Sequence, residues 1–151
     1  MAEVDPQLAD AWQRMMALFF SRRDAFFAEL ATLQLTPPHG HALMTLHDGP
    51  VRMRDLADSM ACDASYVTAV ADRLEQLGFA ERRNAPDDRR VRELVLTAKG
   101  TKVAQRLRRV FSEPPDAMQA LPAADRTELL RIMSSLGEPA VDGWLPTRSL
   151  R

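Results

Sequence analysis

Cysteine is almost absent from this sequence. Its 151 residues contain one, Cys62. A lone thiol excludes an intramolecular disulfide framework and any zinc or iron–sulfur site that needs several cysteines. A single cysteine is also typical of a protein from a reducing compartment, so we expect a cytoplasmic location.

Long apolar runs and an excess of one charge sign are absent too. The chain has 20 Lys and Arg against 21 Asp and Glu, a formal charge of −1. Its first ten residues contain acids where a secretory signal needs a basic start and an apolar run. The longest uncharged segment, residues 30–47, contains two prolines and all three histidines, which hydrocarbon tolerates poorly. We therefore expect neither export nor a membrane span.

The motifs of common enzyme classes are missing as well. We find no Gly-rich phosphate loop, no serine in a nucleophile elbow and no histidine pair at metal-ligand spacing. His39 and His41 would face about 200° apart on a helix. No neighbouring carboxylate or thiol completes a tetrahedral set with them. The sequence predicts a protein without catalytic residues, cofactor or bound metal.

One segment is strongly basic despite the near-neutral total. Residues 82–109 contain ten Lys or Arg against three Asp or Glu, a net charge of +7. Such a block forms either an ordinary solvated face or a surface for a polyanion. The secondary structure around the block has to distinguish the two.

Helix signals begin close to the N-terminus. Asp5 is a suitable N-cap and Pro6 a suitable first helical residue, and apolar side chains follow at helical spacing as far as Leu33. This apolar stripe is wider than one neighbouring helix would cover, so it predicts either an intramolecular core or a dimer surface. Thr36 then caps a second helix, which ends at residues 48–50.

A third short helix fits residues 53–60, and a fourth runs from the N-cap Asp63 to Leu77, with Gly78 just beyond its end. Apolar residues occupy one arc of about 100° on this fourth helix. The opposite side carries short polar or planar groups that suit the edges of DNA bases. The apolar face comprises Val67, Val70, Ala71, Leu74 and Leu77, and the opposite face comprises Ser65, Tyr66, Thr68, Ala69, Asp72, Arg73 and Gln76.

A β-hairpin with a charged tip follows, and then two more helices. Thr97 caps the first of these helices, and the Pro114-Pro115 pair stops it. The predicted strands cover residues 79–83 and 91–96, and the predicted helices cover residues 98–112 and 125–136.

The order helix, helix, helix, hairpin predicts a winged helix-turn-helix in a chain that is mainly α with a small β-hairpin wing. Several motifs in it resemble the MarR family of transcriptional regulators. The most specific is an Asp-x-Arg wing followed by Leu-Thr-x-x-Gly. The matching residues are Leu56-Ala57, Ser65 to Thr68, Asp72 to Glu75, Gly78-Phe79, Arg82-Arg83, Asp87 to Arg90 and Leu96 to Gly100.

This resemblance implies a homodimeric bacterial repressor that binds a pseudo-palindromic operator in double-stranded DNA and is released by a small apolar or aromatic effector. It implies dimerisation helices at residues 5–35 and 98–137, a winged helix-turn-helix at 37–97 and an irregular tail at 138–151. The residues implied to lie along the major groove are Ser65, Tyr66, Thr68, Ala69 and Arg73.

The resemblance also assigns roles in the wing. Arg90 is placed in the minor groove, Arg89 on a phosphate, and Asp88 beside Arg90 to orient it. Asp63 is expected both to cap the fourth helix and to pair with Arg90. Two positions depart from the pattern: Asp72 stands where several relatives carry a base, and Arg52 stands at an N-cap where Ser or Thr is common.

An effector would enter a cleft beside the second helix in this family. The candidate pocket residues are Trp12, Met15, Met16, Phe19, His39, His41, Met44 and Met60. Each of them can equally be an ordinary core residue. Cys62 also has two interpretations, a redox sensor or a small packed side chain. The second is favoured because redox-sensing relatives carry the thiol in the first helix.

A winged helix can also serve as a protein interaction module, since a fold does not determine its function. Such a module would present an apolar face on the fourth helix. In this sequence the exposed face of the fourth helix and the hairpin tip carry polar groups and arginines instead. This composition favours nucleic acid over protein as the binding partner.

Overall fold

The computed structural model describes residues 4–88 and 90–137. The predicted position of Arg89 and the predicted tail at 138–151 lie outside these residues. No helix in the described part is long and apolar enough to cross a membrane. The elements are α1 Pro6–Thr32, α2 Pro37–Leu46, β1 Val51–Arg52, α3 Met53–Ser59, α4 Ala64–Gln76, β2 Ala80–Asn84, β3 Arg92–Leu96, α5 Ala98–Ser112, α6 Asp116–Gln119 and α7 Ala123–Ser135.

The predicted fold class, mainly α with a small antiparallel sheet, is confirmed. Helix starts follow the capping residues read from the sequence. Asp5 accepts a 2.7 Å hydrogen bond from the N–H of Gln7 at the start of α1. Thr36 and His39 form a capping box at the start of α2, which satisfies backbone groups that the first turn leaves free.

A core of leucines holds α2, α3, α4, α5 and β3 together. Leu43, Leu56, Leu74, Leu94 and Leu107 are all fully buried. By contrast, the long helix α1 buries only Phe26 and Leu30. Most of the apolar stripe of α1 therefore lies outside the core of the single chain.

The sheet has three antiparallel strands in the order β1-β3-β2. The two-residue strand β1 is absent from the sequence prediction, and it pairs Val51 with Leu94 and Arg52 with Glu93. Strand β2 begins one residue later than predicted, because the N–H of Phe79 still closes the end of α4 on the carbonyl of Leu74 at 2.8 Å.

Two further differences concern the C-terminal part. The short helix α6 is absent from the prediction, and α7 begins at Ala123 rather than at residue 125 because Pro122 is its N-cap. Proline fixes its own φ and needs no N–H partner, which suits a helix start.

The Leu-Thr-x-x-Gly motif has a packing role at the start of α5. The hydroxyl of Thr97 accepts from the N–H of Gly100 at 3.0 Å and donates to the carbonyl of Gly78 at 2.7 Å. A Cβ atom at Gly100 would lie 1.7 Å from the carbonyl oxygen of Phe79. Glycine is therefore required for the close approach of α5 to the end of α4.

Candidate nucleic-acid interface

Helix α4 has one buried and one exposed face, as its sequence predicts. Val67, Val70, Ala71 and Leu74 are buried. The opposite face lies on the molecular surface, with Ser65, Tyr66, Thr68 and Ala69 all exposed. The apolar face anchors the helix in the core, so the second set of side chains is available to a partner.

The polar groups at the N-terminus of α4 are held by its cap. Asp63 accepts a hydrogen bond from the Ser65 hydroxyl and a 2.8 Å bond from the N–H of Tyr66. These two bonds, the serine bond first, lower the pKa of Asp63. Thr68 donates its hydroxyl to the carbonyl of Ala64 at 2.8 Å. Both hydroxyl oxygens keep acceptor lone pairs for an external donor.

Arg73 is oriented differently from the other predicted contact residues. It is half-buried, and its Nη2 donates to the carbonyl of Gln34 at 3.4 Å. The pKa of His39 is lowered, first by its burial and second by the nearby positive charge of Arg73. The guanidinium thus faces the connection between α1 and α2, at the edge of the exposed face.

The wing brings Asp88 and Arg90 together through the backbone. The N–H of Arg90 donates to Oδ1 of Asp88 at 2.9 Å, and the Arg90 side chain is exposed. The expected ion pair between Asp63 and Arg90 is wrong for this structure: within the described ranges, no ion pair joins them. The carboxylate of Asp63 is instead occupied by its own helix cap.

Asp72, the first position that departs from the family pattern, forms an ion pair with the wing. Its Oδ1 lies 2.7 Å from Nη1 of Arg82 on β2. The main-chain N–H of Arg82 also donates to Glu75 at 2.7 Å, and its Nη2 donates to the carbonyl of Thr68 at 3.1 Å. Sequence reasoning missed this link, although two acids three positions apart on α4, followed by an arginine on the next strand, are its signal.

Arg52, the second unusual position, is the N-cap of α3 but makes no side-chain capping bond. An arginine has no acceptor atom with which to cap a helix. Its side chain is exposed and forms no ion pair with any residue that the structure describes.

The candidate pocket residues lie in three different environments. Trp12, Met15 and Phe19 are exposed on α1. Met44 and Met60 pack against the core. His39 belongs to the α2 capping box, and burial lowers the pKa of His41. None of the eight lines the open cavity that the structure shows between α3 and the wing.

Cys62 is partly buried and packs against the core. This environment agrees with the packed-side-chain interpretation. Residues 4–88 and 90–137 contain no group of three His, Cys, Asp or Glu side chains that could hold a metal ion.

A family model for the MarR family matches residues 35–91, which span α2 to the wing. Over these residues, the chain is similar to the MarR family. Two curated relatives agree. The HTH-type transcriptional regulator BilQ of Clostridium symbiosum is 31% identical over 86 residues, which are 56% of this chain and 60% of the relative. The HTH-type transcriptional repressor MdtR of Bacillus subtilis is 31% identical over 101 residues, 66% of this chain and 65% of the relative.

The chain spans between 59% and 65% of the length of the curated relatives that it matches. Solved structures extend the likeness in fold. The YusO protein of Bacillus subtilis has a TM-score of 0.75 at 24% identity, covering 91% of this chain and 99% of that one. A mutant of MepR from S. aureus, bound to an oligodeoxyribonucleotide, has a TM-score of 0.66 at 22% identity, covering 89% and 99%.

Proposed function

We propose that this protein is a transcriptional repressor that binds a pseudo-palindromic operator in double-stranded DNA as a homodimer. In this proposal α4 lies in the major groove, and Arg90 at the wing enters the adjacent minor groove. The names of the curated relatives and the bound oligodeoxyribonucleotide in the MepR structure support this function.

The observation that carries the proposal is the division of α4 into two faces. Its exposed side presents hydroxyl groups and one aromatic ring rather than a continuous apolar stripe. Hydroxyl groups bond to base edges or phosphates, whereas a protein-docking helix would present apolar anchors. The alternative, a protein interaction module, is less well supported for this reason.

The homodimer is supported by apolar surface at the two ends of the chain. On α1, Leu8 and Trp12 are 69% and 60% exposed, and on α7, Leu130 is 68% exposed. Monomeric proteins rarely expose large apolar patches, and a patch of this kind usually marks the place where a partner binds. A second copy is the partner that fits, because each copy would cover the other's patch with equally apolar side chains.

Release by a small apolar or aromatic effector is the final part of the proposal. The exposed aromatic side chains of α1 and the partly buried Met44 would contribute to its site. This part is tested separately, by screening small molecules for those that dissociate the bound duplex.

Selection of duplexes from a random pool tests the central claim. We expect an enriched sequence with two half-sites about 10 base pairs apart, centre to centre. Affinity should fall by roughly 10³ to 10⁵ between 50 and 200 mM salt if six to ten phosphates are contacted. Failure to enrich any sequence, together with capture of no duplex at 50 mM salt, would exclude this function.

A further inference from the structure

An open cavity of about 580 Å³ lies between the start of α3 and the wing. Half of the residues that line it are arginines. The residues that line it are Arg52, Arg54, Arg90 and Arg92, together with Met53, Asp55, Asp58 and Val91.

Within the described ranges, the side chains of these four arginines form no hydrogen bond or ion pair, which is unusual among the described arginines. Most other described arginines are paired, such as Arg82 with Asp72 and Arg131 with Glu128. Among the residues that the structure describes, Arg126 on α7 is the one other arginine whose side chain forms no hydrogen bond or ion pair.

The sheet brings these arginines together from distant parts of the sequence. Strand β1 pairs with β3 so that Arg52 lies opposite Glu93. Arg92 precedes Glu93 on β3, and Arg54 belongs to the first turn of α3, directly after β1. The side chains of Arg52, Arg54 and Arg92 are all exposed. The pairing therefore creates a basic surface that continues from the wing.

The two aspartates in the lining do not neutralise this surface. The lining has four arginines against two aspartates, Asp55 and Asp58, and in the described part of the chain neither aspartate forms an ion pair. A group of like charges without internal partners is stabilised by an external anion. The planar fork of arginine matches the oxygen atoms of a phosphate.

We infer that this cavity binds a phosphate group of the DNA backbone beside the wing, through Arg52, Arg54 and Arg92. The inference rests on the proposed function, because the duplex supplies the phosphate. Continuity with the wing favours the backbone as its source: Arg90, the proposed minor-groove residue, lines the same cavity. The cavity would hold the strand while Arg90 enters the groove.

The test compares the double variant Arg52→Gln/Arg54→Gln with the control Arg14→Gln, which removes an exposed arginine of α1 about 200° around the helix from Trp12. Binding to the selected operator and to an unrelated duplex is titrated from 50 to 200 mM salt. We expect the double variant to lose affinity by a similar factor for both duplexes. Affinity should also depend less steeply on salt: the plot of log affinity against log salt should have a slope smaller in magnitude by about 2, because a dimer loses one phosphate contact per protomer. The control should keep the slope and affinity of the parent.

An unchanged slope in the double variant, with the parent still binding its operator, would overturn this inference and leave the proposed function intact. Absence of duplex binding by the parent would instead overturn the proposed function and the inference with it. A third arm uses inorganic phosphate at constant ionic strength. Thermal stabilisation of the parent but not of the double variant, combined with an unchanged slope, would assign the cavity to a free anion and overturn the inference.

Discussion

Arg82 on the wing strand β2 reaches back to Asp72 on α4, with 2.7 Å between its Nη1 and the carboxylate Oδ1. The same guanidinium pairs with Glu75. Two elements of the proposed interface, α4 and the wing, are thus joined by one side chain. Because a wing can reach a groove only if its angle to α4 is kept, this link has a consequence for DNA binding as well as for stability.

The first prediction concerns this link. Arg82→Met should lower the free energy of unfolding by about 1 to 3 kcal/mol, because it removes charged hydrogen bonds from a largely buried guanidinium. Asp72→Asn should cost at most about 1 kcal/mol, since Asp72 is half exposed and solvent screens its pair. Urea denaturation measures both. If both variants lost the same free energy of unfolding, the other hydrogen bonds of Arg82 would contribute nothing beyond its pair with Asp72, and the prediction would be wrong.

The second prediction concerns Gly100. Gly100→Ala should destabilise the fold by at least about 2 kcal/mol, because the new Cβ would overlap the backbone of Phe79. Lys102→Ala, an exposed position on the same helix, is the control and should change stability by no more than about 0.5 kcal/mol. Thermal and urea unfolding measure the difference. A Gly100→Ala protein as stable as the control would show that α5 packs less closely than described.

The third prediction is a pH dependence of stability. Burial lowers the pKa of both His39 and His41 in the folded chain below the ordinary value of 6.5. A lowered folded pKa means that the unfolded chain binds protons more readily, so stability is fully present above pH 6.5 and falls as the pH drops below it. Urea denaturation at pH 7.5 and 5.5 should show this loss in the parent.

The double variant His39→Gln/His41→Gln is the comparison for this pH effect. Glutamine cannot take up a proton in this range, and at position 39 it can still complete a capping box with Thr36. Stability of the double variant should change less between the two pH values than that of the parent. The same loss in both proteins would assign the pH effect to other groups.

The fourth prediction concerns the proposed dimer. Leu130→Glu should shift the protein toward a monomer, because a charge would replace an apolar side chain at the proposed interface. Light scattering at micromolar concentration measures the mass. The control is Tyr66→Ser, which removes an apolar side chain that is 46% exposed on α4 and should leave the mass unchanged. A monomeric parent would refute the dimer directly.

The fifth prediction concerns the wing. Arg90→Ala should leave folding and mass unchanged yet weaken operator binding by about 1 to 3 kcal/mol. The guanidinium is exposed and has no ion pair within residues 4–88 and 90–137, so its removal disturbs no internal contact. Arg14→Ala, which removes an exposed arginine of α1 on the side away from Trp12, serves as the charge-matched control. Operator affinity at fixed salt that equals that of the parent would exclude Arg90 as a contact residue.

Local sequence patterns determined much of this fold. Asp5, Thr36, Asp63 and Thr97 each stand at the N-cap of the helix that they were predicted to begin. The two faces of α4 follow from helical spacing alone. These features depend on residues within a few positions of one another, so one sequence is enough to predict them.

Contacts between distant residues required the tertiary structure. Strand β1 has two residues and no periodicity of its own, and it exists because β3 pairs with it. The link between Arg82 and Asp72, the orientation of Arg73 toward Gln34 and the grouping of Arg52 with Arg92 arise in the same way. The sequence determined where α1, α2, α4 and α5 begin and which face α4 buries. Chain topology decided which charges form pairs and which are left for a partner, because charge pairing depends on distance in space rather than along the chain.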